Sequence, residues 1–89
     1  MNLLTYNLGS AVAGASRPFL GKADVSISGT FVATVVLQRS FDDGTTWVNV
    51  SSHTVPTEFL HENNTSGVKY RFNCTAYTSG TIVCRMGQD

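Results

Sequence analysis

The chain has 89 residues, six basic and six acidic side chains that cancel, and only 13% of its positions charged. That length supports one domain with a modest core. The six cations, Arg17, Lys22, Arg39, Lys69, Arg71 and Arg85, are too scattered for the concentrated positive face that nucleic-acid binding needs, and no apolar run is long enough for a bilayer-spanning helix, so neither a nucleic-acid nor a membrane partner is expected.

Residues 3–8 form the first candidate strand. Residues 9–16 are small and weakly patterned, and read as an edge strand or as an arm that orders on a partner. Residues 1–16 are therefore a candidate N-terminal arm, with Leu3, Leu4 and Tyr6 as interface residues on a neighbour. A secretion signal is not expected: no positive residue precedes Ala11-Val12-Ala13-Gly14-Ala15-Ser16, and Thr5, Asn7, Gly9 and Ser10 interrupt any apolar core. Without one, the glycosylation patterns at Asn49, Asn63, Asn64 and Asn73 read as chance.

Arg17-Pro18, before Phe19, marks a turn or an edge. Residues 22–28 alternate, with Ala23, Val25 and Ile27 on one face and Asp24, Ser26 and Ser28 on the other, which predicts a half-buried strand. After Gly29-Thr30, residues 31–41 form a long strand, and residues 47–52 are its hairpin partner. Asp43-Gly44 between two apolar runs is the strongest short-range hairpin signal available to a sequence. The register of the 37–50 hairpin is ambiguous by one residue, which would exchange its faces. Residues 55–61 form a strand carrying Pro56, placed at an edge. Residues 62–67 are a polar loop.

The last predicted element is a hairpin over 68–86. Thr78-Ser79-Gly80 suits a three-residue loop with Gly80 in the left-handed region. Direct pairs then follow: Tyr77 with Thr81, Ala76 with Ile82, Cys74 with Cys84, and Phe72 with Met86. Val68, Tyr70, Phe72, Cys74, Ala76, Ile82, Cys84 and Met86 share the core face. Lys69, Arg71, Asn73, Thr75 and Arg85 share the other face. The whole reads as all-β: a single small antiparallel β-sandwich, Ig-like or jelly-roll-like, of six or seven strands.

Few residues suggest chemistry. Cys74 and Cys84, as a cross-strand pair, could form a disulfide or remain two buried thiols. Two cysteines without a matching histidine pair do not make a zinc site, and no phosphate-binding glycine loop is present, so no metal or cofactor is expected. His53 and His61 flank the edge strand and read as surface histidines. Asp42 and Asp43 are adjacent and point apart in extended chain, unlike paired glycosidase carboxylates. No nucleophile, base and orienting group can be assembled, so no catalytic residue is assigned. Tyr77, on the solvent face with Arg71 and Arg85, is a candidate binding patch, since Tyr and Arg are favoured at hot spots.

Ser40, Asp42, Gly44, Thr46 and Trp47 fill the five positions of Ser-x-Asp-x-Gly-x-Thr-Trp, which resembles the Asp-box of sialidases and other β-rich extracellular proteins. In those proteins the box is a structural turn, away from the catalytic site. The residues carry the same reading by themselves. Asp42 can accept backbone amides ahead of it, Gly44 can take a positive φ, and Trp47 is a large anchor.

A broader resemblance covers residues 24–87. Val25-Ser-Ile-Ser-Gly-Thr-Phe, Leu37-Gln-Arg-Ser-Phe-Asp-Asp-Gly-Thr-Thr-Trp and Tyr70-Arg-Phe-Asn-Cys-Thr-Ala-Tyr-Thr-Ser-Gly-Thr are similar to small β-sandwich proteins of tailed bacteriophages, encoded near virion structural genes. The resemblance implies a non-enzymatic bacteriophage virion structural protein, specifically a capsid decoration or cement protein. Its partners would be its own copies, as a homo-oligomer, and other virion proteins such as the major capsid protein. Its location would be the virion, assembled in the host cytoplasm, where disulfides are uncommon. The rival is a tail or fibre-associated module that recognises a host glycan or receptor. An exposed Trp47 favours the rival, and a buried one favours the structural role.

Overall fold

The computed structural model describes residues 2–88. Eight strands and no helix are present among them: β1 Asn2–Leu8, β2 Arg17–Pro18, β3 Gly21–Ser28, β4 Phe31–Ser40, β5 Val48–His53, β6 Thr57–Asn63, β7 Lys69–Gly80 and β8 Ile82–Gln88. They form two antiparallel four-stranded sheets, β1-β8-β3-β6 and β2-β7-β4-β5. The all-β sandwich expected from the sequence is thus present, with the two-residue β2 bringing the strands to eight.

The pairing has a simple order. β1 pairs with β8, β2 with β7, β3 with β6, and β4 with β5. The chain is one long antiparallel hairpin, rolled so that successive pairs fall in alternate sheets. That is the jelly-roll arrangement. Its tip is the turn over residues 41–47.

Period-2 alternation supplies the core. Val25 and Ile27 of β3, Val35 and Leu37 of β4, Tyr70 and Phe72 of β7, and Ile82 and Met86 of β8 face one another between the sheets. The buried Asn63 amide ties the end of β6 to the loop before β3, donating to Phe19 O at 2.9 Å and Thr65 O at 2.8 Å.

Residues 68–86 are not a hairpin. β7 and β8 lie in different sheets, because Gly80-Thr81 is a corner that carries the chain from one sheet to the other. It runs beside the β3–β4 corner at Gly29-Thr30. Thr81 N donates to Thr30 O at 3.0 Å. Gly29 and Gly80 both have positive φ, and a Cβ on either would overlap the carbonyl oxygen of the opposite corner. The pairs Tyr77–Thr81, Ala76–Ile82, Cys74–Cys84 and Phe72–Met86 therefore do not form. Cys74 pairs with Val35, and Cys84 with Tyr6 and Ile27. The alternating faces hold on β8 and on β7 as far as Cys74, but they belong to two opposed sheets. Beyond Cys74 the ladder shifts, and Ala76, expected on the core face, is exposed.

Cys74 and Cys84 are consequently not cross-strand neighbours. Both are free and buried on facing sheets. The Cys74 thiol donates to Ala76 O at 3.3 Å. Burial, with the Cys74 charge adding to it, pushes the Cys84 thiol up to about 12.

The candidate patch of Arg71, Tyr77 and Arg85 is also divided. Arg71 is on β7 and Arg85 on β8, on the outer faces of different sheets. A register shift in the β4–β7 ladder leaves Thr75 unpaired, and this turns Tyr77 inward. Tyr77 packs on the core, and its hydroxyl donates to Gly80 O at 2.7 Å.

The N-terminal residues do not form a free arm. β1 is an edge strand of its sheet, with Leu4 and Leu8 in the core and Tyr6 packed against it. Only Leu3, Thr5 and Asn7 turn outward. The Asn2 amide donates to Pro18 O at 2.7 Å and Gln88 Oε1 at 3.2 Å. Residues 12–14 then lie along β7, where Gly14 N donates to Phe72 O at 2.8 Å and Cys74 N to Val12 O at 2.9 Å.

Two outcomes test this packing. Gly80→Ala should destabilise the protein by about 2 kcal/mol or more, since it adds both backbone strain and overlap. Gly9→Ala, which meets open space, should stay within about 0.5 kcal/mol of wild type. Denaturant midpoints measure both. Thiol titration should find no rapid reaction in the native protein and two free thiols per chain after unfolding without reductant.

Candidate functional site

The tip of the rolled hairpin is the most specified surface feature. β4 ends at Ser40, which is fully buried. Its hydroxyl accepts from Gly44 N at 2.8 Å and donates to Asp42 Oδ1 at 2.7 Å. The same Asp42 oxygen accepts from Thr46 N at 2.7 Å. Two short side chains thus occupy the amides of a seven-residue turn, as turn-forming Ser and Asp do. Asp43 and Gly44 take successive positive φ values of 62° and 92°, the φ pair favoured for Asp-Gly in a tight turn. The Ser40 hydroxyl and then the Thr46 amide hold the Asp42 carboxyl down to about 2, from an ordinary 3.8.

Trp47 leaves the turn on the outer face of the β2-β7-β4-β5 sheet and is half-buried there. The Arg71 guanidinium lies 4.2 Å from the centre of its ring. Arg71 Nε donates to Gln38 Oε1 at 2.8 Å, and Gln38 Nε2 donates to Asn49 Oδ1 at 2.8 Å. These three residues are direct register partners on β7, β4 and β5, so the row crosses the sheet. A shift between Leu37 and Gln38 makes this alignment compatible with Val50 packing on the core. The one-residue ambiguity of this hairpin is thus resolved by a bulge, with a different register on each side. Lys69 closes the flank with a 2.7 Å ion pair to the exposed Asp43.

On the other side of the turn Phe41 and Val48 stay exposed, at 58% and 48%. With Asp42 and Thr46 they line a shallow apolar depression. Arg39 stacks over the Phe41 ring at 5.1 Å. Phe41, Val48 and Gln38 were not singled out by the sequence, and Asn49 only for a glycosylation pattern read as chance. The one signal was Gln38 itself, an amide directly after the apolar run Val35-Val36-Leu37.

His53 and His61 are not surface residues but half-buried ones, facing inward from β5 and β6. His53 stacks on Phe59 with centroids 5.1 Å apart, and its Nε2 lies 2.8 Å from Ser51 Oγ. His61 Nε2 lies 3.0 Å from the Tyr70 hydroxyl. Burial lowers both imidazoles below their usual range, which favours the neutral form at neutral pH. Among the described residues no carboxylate hydrogen-bonds the His53 ring, so the Ser51–His53 contact lacks the orienting group of a nucleophile–base set.

Comparison of the chain with protein-family models, with curated proteins and with solved structures found no match.

The turn has an acid signature. Above pH about 4 Asp42 is ionised in both states. Between about 4 and about 2 the unfolded chain takes up a proton that the folded turn refuses, so the contribution of Asp42 is lost through that window. Wild type should be more stable than Asp42→Asn at pH 6, and the two unfolding midpoints should converge towards pH 2.

Proposed function

We propose that the chain is a non-enzymatic assembly protein, a decoration or cement component of a bacteriophage capsid. It acts by burying surface against its own copies and against the major capsid protein. The observation that carries this is the turn over 41–47. It is held by side-chain-to-backbone hydrogen bonds, yet it keeps Phe41 and Val48 out of the core. Apolar side chains on a pre-ordered turn lose little further entropy on docking, which suits interface anchors. A surface so poor in charge adds little repulsion between subunits. Eight-stranded jelly rolls serve both capsid and lectin domains, so the fold alone is only an analogy.

The glycan-binding rival needs an aromatic face free for a sugar ring. Arg71 covers one face of Trp47, and the edge of the same indole is close enough to the turn that a Cβ on Gly44 would lie 3.6 Å from it. The arrangement supports a structural part for Trp47.

The test is sedimentation with virions of the phage that encodes the chain. Wild type should co-sediment in a copy number matching the capsid lattice, well above the handful expected of a tail or neck part. Phe41→Ser should weaken binding about tenfold or more, the cost of truncating an anchor worth about 1.4 kcal/mol, with the unfolding midpoint unchanged. Equal binding by wild type and Phe41→Ser would remove the turn from the interface.

A further inference from the structure

The sandwich has four edge strands, β1 and β6 in one sheet and β2 and β5 in the other. Three are blunted against pairing with another chain. β2 is two residues long and contains Pro18, which has no N–H. β5 is bulged against β4. β6 carries Glu58 and Glu62, and antiparallel self-pairing centred on Leu60 would set each glutamate opposite the other in the second copy.

β1 has none of these devices. Asn-Leu-Leu-Thr-Tyr-Asn-Leu contains no charge and no proline, and its ladder with β8 runs without a shift. Among the described residues no backbone hydrogen bond outside the sheet ladder reaches Asn2–Leu8, so every second N–H and C=O of β1 points to an open edge. The strand is also pre-ordered. Asn2 is tied to Pro18, Arg17 and Gln88, and a Cβ on Gly14 would lie 2.8 Å from the Tyr6 ring.

We propose that two copies of this chain join through their β1 edges, antiparallel about a twofold axis at Thr5, fusing two four-stranded sheets into one continuous sheet. This gives a surface to the self-association named under the proposed function and rests on that reading. The register is self-complementary. Thr5 meets Thr5 of the second copy, a favourable cross-strand pair. Leu4 meets Tyr6 on the core side. Leu3, 39% exposed and lying over Gly87, meets Asn7 on the outer side. No like charges oppose. The twofold closes the assembly, whereas β1 on the acidic β6 of the next copy would build open fibres.

A single strand pair buries little area, so the dimer should be concentration-dependent. Light scattering on the purified protein should show mass rising from monomer to dimer and stopping there. Thr5→Lys, at an exposed position, should hold the protein monomeric over the same range. Ser52→Lys, on the β5 edge, should leave the dimer intact. Under oxidation Thr5→Cys should give a covalent dimer, while Asn7→Cys alone should not, because its partner is Leu3. Mixing Asn7→Cys with Leu3→Cys should restore the cross-link. A wild type monomeric throughout, a mass growing past dimer, a Thr5→Lys dimer, or a Thr5→Cys that does not cross-link would each overturn the pairing. No virion enters these measurements, so failed virion binding and a failed dimer are separately visible.

Discussion

The turn over residues 41–47 is the point around which the rest of the molecule is organised. All four nested strand pairs close outward from it: β4 with β5, then β3 with β6, β2 with β7, and β1 with β8. A slip at the tip would exchange the faces of β4 and β5 and carry through the ladder that β4 shares with β7. The buried hydroxyl of Ser40 and the carboxylate of Asp42 prevent that slip by satisfying the amides of Gly44 and Thr46. The bulge at Leu37–Gln38 then lets one strand meet two demands, an apolar face inward and an amide row outward.

What was legible in the sequence depended on whether a signal was local. The parity of an unshifted strand needs only its own side chains, so the inward faces of β3, of β8 and of β7 up to Cys74 could be read directly. The partner of each strand depends on how the chain leaves it. Thr78-Ser79-Gly80 fits a hairpin loop, and the same glycine equally fits a corner. The choice was made by the Gly29-Thr30 corner some fifty residues away in sequence, whose carbonyl leaves no room for a Cβ at position 80. The expected pairing of Cys74 with Cys84 and the grouping of Arg71 with Arg85 both fail because of that one non-local contact. Tyr77 was misplaced because a bulge adds a residue without any compositional mark.

The N-terminal strand was harder for another reason. Leu4, Tyr6 and Leu8 alternate correctly with Thr5 and Asn7, but Leu3 adds a large apolar residue to the outer face and blurs the pattern. Its side chain lies over Gly87, a position where β8 offers no side chain of its own. At the tip the reverse holds. Five turn residues were legible because each type has a local task, whereas Phe41 and Val48 look like ordinary strand residues. Their exposure follows from where β4 ends and β5 begins, and that is decided by the Ser40 and Asp42 hydrogen bonds.

Rolling one hairpin into two sheets leaves both sheets open at both sides, so each edge must be handled separately. The chain uses a proline on one, a bulge on another and like charges on a third, at little cost to the core, since all lie at its margin. The uncharged β1 edge lies beside β2, on the side of the sandwich away from β5. Phe41 directly follows β4 and Val48 opens β5, at the tip that joins those two strands, so a contact at β1 leaves them uncovered. A pair joined at β1 would carry two such tips held by one rigid sheet. Two anchors in fixed relation raise the effective concentration of the second once the first has docked. A weak strand pair and a small apolar anchor can then reinforce each other on a repeating surface, where neither would hold well alone.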